Sequence, residues 1–149
     1  MIMRLYFGSD HAAVGLREHL AAHAREAGHE VVGVLGPAEA TQKADYPDVA
    51  TAVCAKLRED AGSFGILVCG TGQGMAMTAN RIAGIRAVVC SDVFSAGMGR
   101  AHNDANVLCV GERVVGLGLA ASIFDAFAGG AFEGGRHQRR VDKIVALDG

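Results

Sequence analysis

Short apolar runs alternate along this chain with longer stretches whose apolar residues recur at helical spacing. Ile2 to Phe7 reads as a first strand and ends at Gly8-Ser9-Asp10-His11. Ala13, Leu16, Leu20, Ala24 and Ala27 then repeat on one side of a helix, with Arg17, Glu18, Arg25 and Glu26 elsewhere on the cylinder. Gly28 stands where a helix C-terminus favours glycine. Glu30 to Leu35 predicts a second strand and Gly36 to Asp45 a loop. Tyr46-Pro47-Asp48 opens a second helix, with Pro47 near its first turn and Val49, Ala52, Val53 and Leu57 on one face. A third strand, Phe64 to Cys69, runs into Gly70-Thr71-Gly72-Gln73-Gly74 and a helix to about Ile82, closed by Gly84. Arg86 to Cys90, Val93 to His102, Asn106 to Val110 and Gly116 to Ala128 predict strand, helix, strand and helix. Gly134-Gly135 then precedes a basic helix from about Arg136 to Val145.

Strands and helices thus alternate five times, with near-continuous apolar strands and short connections. That pattern predicts a doubly wound α/β sandwich, a five-stranded parallel sheet with helices on both faces. No repeat, low-complexity tract or linker interrupts it, so the 149 residues are expected to form a single domain. Ligands of such sheets bind beyond the carboxyl ends of the strands, near the switch in strand order. Asp10, His11, Cys69, Thr71, Ser91 and Glu112 all fall just after predicted strands and are expected to share that edge.

Composition narrows the partners. Half of the residues are hydrophobic and a fifth are charged, ordinary for a globular protein. A formal net charge of -2 offers no electrostatic footprint for nucleic acid or an anionic membrane, and neither is expected as a partner. The longest apolar run, Val114 to Phe124, stops at Asp125, short of the roughly 18 residues that suggest a membrane span. The N-terminus enters a strand pattern directly and lacks signal-peptide regions, so a cytoplasmic location is expected. Cys54, Cys69, Cys90 and Cys109 form no C-x-x-C pair, which argues against a disulfide framework and a bound metal. Cys54, Cys90 and Cys109 read as small buried hydrophobes.

Cys69 differs, because the glycine loop follows it at once. A strand feeding a tight loop into a helix N-terminus presents unpaired N–H groups and a dipole that favour an anion. A thiol set there can have its pKa lowered and serve as base or nucleophile. Two other readings compete. A dinucleotide fingerprint would be G-x-G-x-x-G after the first strand, whereas this loop is G-x-G-x-G after the third, with Asp92 only a loose match for the acidic ribose ligand. A purely structural turn is the other. Asp10-His11 alone reads as a helix N-cap with an incidental neighbour, and His102-Asn103-Asp104 as C-terminal capping. Arg136, His137, Arg139 and Arg140 crowd the first turns of the last helix, where the dipole disfavours cations. Arg136 and Arg140, four apart on one face, suit an anion held between two guanidinium forks; a solvated basic helix is the alternative.

Seven strings, taken together, resemble one family. They are Gly8-Ser9-Asp10-His11-Ala12, Asp45-Tyr46-Pro47, Cys69-Gly70-Thr71-Gly72-Gln73-Gly74, Asn80-Arg81, Gly84-Ile85-Arg86-Ala87-Val88, Ala101-His102-Asn103-Asp104-Ala105-Asn106 and Glu133-Gly134-Gly135-Arg136-His137. In this order and spacing they look like the ribose-5-phosphate isomerase type B family, nearly end to end. That family also includes galactose-6-phosphate isomerase subunits and isomerases of other phosphorylated sugars. The resemblance implies a cofactor-free aldose-ketose isomerase with a Rossmann-like three-layer sandwich. It further implies a homodimer or dimer of dimers, with a site at the subunit interface built from both chains. By similarity Cys69 matches the base that moves the proton between C1 and C2. Thr71 and the amides of Gly70, Gly72, Gln73 and Gly74 match the enediolate cradle, and His102 the group that helps open the furanose ring. Asp10, His11, Tyr46 and Asn103 match sugar contacts, while Arg113, Arg136 and Arg140 match phosphate and substrate ligands. One branch of the family replaces the cysteine by a glutamate just after the loop; Cys69 together with Met75 places this chain in the cysteine branch.

The chemistry fits those residue types. Removing a proton alpha to a carbonyl needs a positioned base and donors for the developing oxyanion. A thiol with pKa near 8.5 needs a shift of about one or two units to be largely thiolate near pH 7. The helix N-terminus is expected to supply part of it and a hydrogen bond from Thr71 more. Ribose 5-phosphate is the expected substrate, with a tetrose, allose or galactose phosphate as the alternative, since Ser9 and the loop from Gly36 to Ala44 bear on pocket length. A non-catalytic module binding a nucleotide or phosphate is the alternative of a different class.

Overall fold

The alternating pattern folds as it predicts, into one parallel sheet between two helical layers. The computed structural model describes residues 1–148; Gly149, counted in the expected domain, lies outside them. The strands are β1 (Arg4–Ser9), β2 (Glu30–Leu35), β3 (Phe64–Cys69), β4 (Ala87–Val89) and β5 (Val107–Gly111). The helices are α1 (Val14–Glu26), α2 (Tyr46–Glu59), α3 (Gln73–Ala79), α4 (Val93–Asn103), α5 (Leu117–Ala128) and α6 (Arg136–Val145), with short 3-10 turns at His11–Ala13 and Ala146–Asp148. Among the described residues no helix is long and apolar enough to cross a membrane.

The strand order is β2-β1-β3-β5-β4, all parallel. Alternation along each strand divides the core between the two faces. Leu5, Phe7, Ile66, Val68, Leu108 and Val110 point to the side covered by α1, α4 and α5. Tyr6, Leu67, Cys69, Val107 and Cys109 point to the side covered by α2 and α3. Phe7 and Phe124 meet at 6.5 Å, and Phe64 packs edge-on to Phe127 at 6.2 Å. Each large apolar side chain buried in this way contributes about 1.5–3 kcal/mol.

Two elements depart from the pattern by more than one residue. β1 starts and ends two residues later than expected. Met3 donates its N–H to His29 Nδ1 rather than to a strand partner. Gly8 does not stop the strand because α2 needs it: a Cβ there would lie 2.6 Å from Val53 Cγ2. Likewise α3 ends at Ala79 instead of near Ile82. The Asn80 side chain bonds both the N–H and C=O of Ala87, at 2.8 and 2.9 Å, spending the residue on the edge of β4.

This topology creates the crevice in which a ligand can sit. From β1 the chain steps outward to β2, then returns across β1 to β3. The helix after β1 covers one face and the helix after β3 covers the other, so the connections leaving these neighbouring strands diverge.

Candidate active site

Cys69 closes β3 with its side chain nearly buried on the α2–α3 face. The Gly72 N–H donates to Cys69 Sγ at 3.2 Å, so negative charge on sulfur would face a backbone donor. Thr71 does not supply that bond, contrary to expectation. Its hydroxyl instead accepts from the Gln73 N–H at 3.3 Å. Gly72 stands at φ +81°, and a Cβ there would lie 3.0 Å from the Val110 backbone. The loop is tied to the end of β5, where Glu112 donates its N–H to Cys69 O at 2.9 Å and Arg113 to Gly70 O at 3.0 Å. The Arg113 side chain therefore runs beside Gly70. On the other side the Tyr46 ring rests on the Gly74 backbone, where any Cβ would collide with it.

Gly111 supports this loop through backbone alone. A Cβ at position 111 would come within 2.6 Å of Thr71 backbone atoms, which cannot swing aside as a side chain can. Gly111→Ala is expected to cost about 1–3 kcal/mol of stability and to lower turnover by displacing Thr71. Thermal unfolding and steady-state kinetics on the same preparation check both effects.

At the neighbouring strand end, Ser9 pairs in register with Val68, which sets Asp10 alongside Cys69. Asp10 Oδ1 accepts from the Ala12 N–H at 3.0 Å, the expected cap. His11 Nδ1 lies 3.1 Å from the carbonyl oxygen and 3.2 Å from the amide nitrogen of Ala44, fastening the loop before Tyr46 over the crevice. Behind them buried Arg17 donates to Ser9 Oγ and Leu35 O, locking the ends of β1 and β2. Glu112 lies on this edge as expected, but its carboxylate accepts from the Leu16 N–H at 2.8 Å in the first turn of α1. It serves the helix rather than the crevice. Cys54 and Cys90 have thiols pushed up to about 11 by burial, helped at Cys90 by Asp92, and burial likewise holds Cys109 well above the ordinary thiol value. All four cysteines are free.

The remaining expected site residues lie elsewhere. α4 runs back from the carboxyl edge and ends at Asn103, just before β5 begins. Val107 at that start pairs with Gly65, four residues before Cys69, so about 13 Å of strand separates the two levels. His102 and Asn103 therefore stand at the amino edge of the sheet. Glu133 joins them, its N–H donating to Ala101 O at 2.9 Å, and Arg136, His137 and Arg140 follow on α6, which packs on α4. Within one chain the site residues form two groups. Asp10, His11, Tyr46, Cys69 to Gly74 and Arg113 stand at one edge; His102, Asn103, Arg136 and Arg140 stand at the other.

The second group has its own order. His102 and His137 stack with ring centres 4.1 Å apart and planes 11° from parallel. Glu133 Oε1 lies 3.8 Å from His102 Nε2 and 3.7 Å from His137 Nε2. Burial first, and then the charges of His102, Arg136 and Arg140, hold the His137 imidazole below its ordinary pKa against the pull of Glu133. Capping at the end of α4 falls to Asp104, in the left-handed region at φ +48° and gripped by Arg86 and Arg100. His102 and Asn103 are thereby spared that duty. Glu133 stands in the sequence at the head of the Glu133-Gly134-Gly135-Arg136-His137 string, four residues before His137, with no role expected of it.

Known proteins share much of this sequence and its fold. The profile of the Ribose/Galactose Isomerase family matches residues 5–144. Ribose-5-phosphate isomerase B of Escherichia coli is 46% identical over 145 residues, covering 97% of this chain and 96% of its own. D-erythrulose-4-phosphate isomerase 2 of Mycolicibacterium smegmatis is 38% identical over 154 residues, covering 100% and 99%. The structure of Clostridium thermocellum ribose-5-phosphate isomerase B superposes with a TM-score of 0.93 at 41% identity, covering 98% of this chain and 97% of that one. A non-catalytic nucleotide module is thereby set aside. With the sequence match running nearly end to end on the same fold, the chain belongs to the ribose-5-phosphate isomerase type B branch of the ribose/galactose isomerases, and it is an isomerase.

Proposed function

We propose that the enzyme interconverts ribose 5-phosphate and ribulose 5-phosphate at a site completed by a second copy of the chain. The observation that carries this reading is Cys69 Sγ facing the Gly72 N–H at the mouth of the β1/β3 crevice, with Asp10 in register beside it. In the aldose-to-ketose direction the Cys69 thiolate takes the proton from C2. The C–H electron pair moves into a C1–C2 double bond, and charge collects on the former carbonyl oxygen. The loop amides from Gly70 to Gly74 and the Thr71 hydroxyl face that oxygen. Return of the proton to C1, with the O2–H proton passed to the O1 oxyanion as C2=O forms, gives the ketose. Electrons balance within the sugar, so the step calls for no external redox partner.

His102 opens the furanose ring, a proton transfer that suits an imidazole. Asp10, His11, Tyr46 and Asn103 hold sugar hydroxyls, and Arg113, Arg136 and Arg140 hold the phosphate, whose binding energy positions C2 over the thiol. His102 and the α6 arginines reach the crevice from the partner chain. Exposed apolar residues around the carboxyl-edge loops, Val89, Phe94, Val114 and Leu117, support such an assembly.

A coupled assay across four-, five- and six-carbon aldose phosphates tests the substrate. The highest kcat/KM is expected for ribose 5-phosphate. A tetrose phosphate is the second reading, favoured by the 38% identity to the mycobacterial D-erythrulose-4-phosphate isomerase, and a higher kcat/KM for erythrose 4-phosphate would replace the first.

A further inference from the structure

We propose that His102, Glu133 and His137 form a binding site for a divalent transition ion such as zinc, and that an ion held there inhibits the isomerase. Two imidazoles and a carboxylate are a donor set that zinc favours, and one that leaves a fourth position open. Magnesium and calcium, which prefer all-oxygen ligands, do not match it. The spacing also fits. Bonds of about 2.0–2.1 Å to a tetrahedral ion place neighbouring donors about 3.3 Å apart. Here the two imidazole–carboxylate separations are 3.8 and 3.7 Å, and all three donor atoms lie within 4.8 Å of one another.

The scaffold brings the donors together without the ion. The Glu133 N–H is bonded to Ala101 O, next to His102. Gly134 and Gly135, both in the left-handed region at φ +65° and +55°, turn the chain so that Glu133 and His137 face each other across one helical turn. The stacked rings must splay for both nitrogens to point at one ion. His102 and Glu133 have side chains 36% and 57% exposed and can make that movement, while His137, at 10%, provides the fixed donor. Arg136 and Arg140 add positive charge near His137, a repulsion that the imidazole and carboxylate bonds to the ion must outweigh.

Binding goes beyond the proposed reaction; inhibition rests on it, because an ion on His102 Nε2 ties up the imidazole assigned to ring opening. Cobalt(II) absorption and zinc calorimetry on the full chain test the site. One ion per chain is expected, with visible bands of a tetrahedral nitrogen–oxygen site and no thiolate charge-transfer band. Affinity should fall at least about tenfold in Glu133→Gln and in His137→Gln, and stay unchanged in Cys69→Ser. Glu133 is half exposed and capped by no side-chain hydrogen bond, so its replacement leaves the fold a fair reference. A thiolate band, loss of binding in Cys69→Ser, or full affinity in Glu133→Gln would overturn the site. Zinc should slow the wild type more than Glu133→Gln, each against its own metal-free rate; equal slowing would overturn the inhibitory role. The spectra do not depend on turnover, so failure of the site is told apart from failure of the role given to His102, which the activity of His102→Ala measures directly.

Discussion

Replacing Cys69 by alanine is expected to lower turnover of ribose 5-phosphate by about 10²–10⁴-fold, the usual worth of a general base. A thousandfold loss corresponds to about 4 kcal/mol of barrier. Folding should change far less. Removing one sulfur from a site that is already close to the loop mouth costs about 0.5–1.5 kcal/mol, as small core truncations do. The variant also leaves the Gly72 N–H without its sulfur partner, so the loop amides stay available for an oxygen. Two measurements check the result together: steady-state rate, and incorporation of solvent deuterium into the substrate. Near wild-type exchange in Cys69→Ala would remove the thiol from the proton path, whatever the fold did.

The second large effect is a recovery rather than a loss. Cys69→Ala and His102→Ala should each be nearly inactive as pure proteins. Unfolded together in equal amounts and refolded, they should regain about one quarter of wild-type turnover. Half of the dimers formed at random are mixed, and each mixed dimer holds one site with both Cys69 and His102 intact. The geometry requires this outcome if two chains build one site, because within a chain the two residues stand at opposite edges of the sheet. No recovery, with mixed dimers demonstrated by differential tagging, would mean that His102 does not serve the crevice at Cys69.

Much of this was legible before any coordinates. The five strands and six helices fall where periodicity puts them because nearly all are amphipathic or fully apolar, and both patterns are read directly. Where boundaries moved, a single residue had a tertiary task. Gly8 reads as a strand end, yet it is the gap that lets Val53 approach. Asn80 reads as helical, yet its amide is committed to Ala87. The same holds for chemistry. The glycine loop and Cys69 were visible because the strand, the thiol and the helix start are consecutive. Thr71 was expected to bond the thiol, but the turn at Gly72 aims a backbone N–H there instead. The division between the two edges follows from chain direction, since Cys69 closes a strand and His102 precedes one. Grouping residues by chemical role hides it. Glu133 escaped because His102, one of its two partners, becomes its neighbour only when α6 folds back on α4.

If, as proposed, Cys69 of one chain and His102 of another build one site, their separation at opposite edges of the sheet has a bearing on gene duplication. Two diverged copies that pair with each other need only one complete set between them. One copy can lose Cys69 and the other His102, and a working site survives in the mixed assembly. Each copy is then free to drift on the surface it no longer uses, toward a longer pocket or a new contact. A fold divided in this way would favour the evolution of obligate partners from a single ancestor.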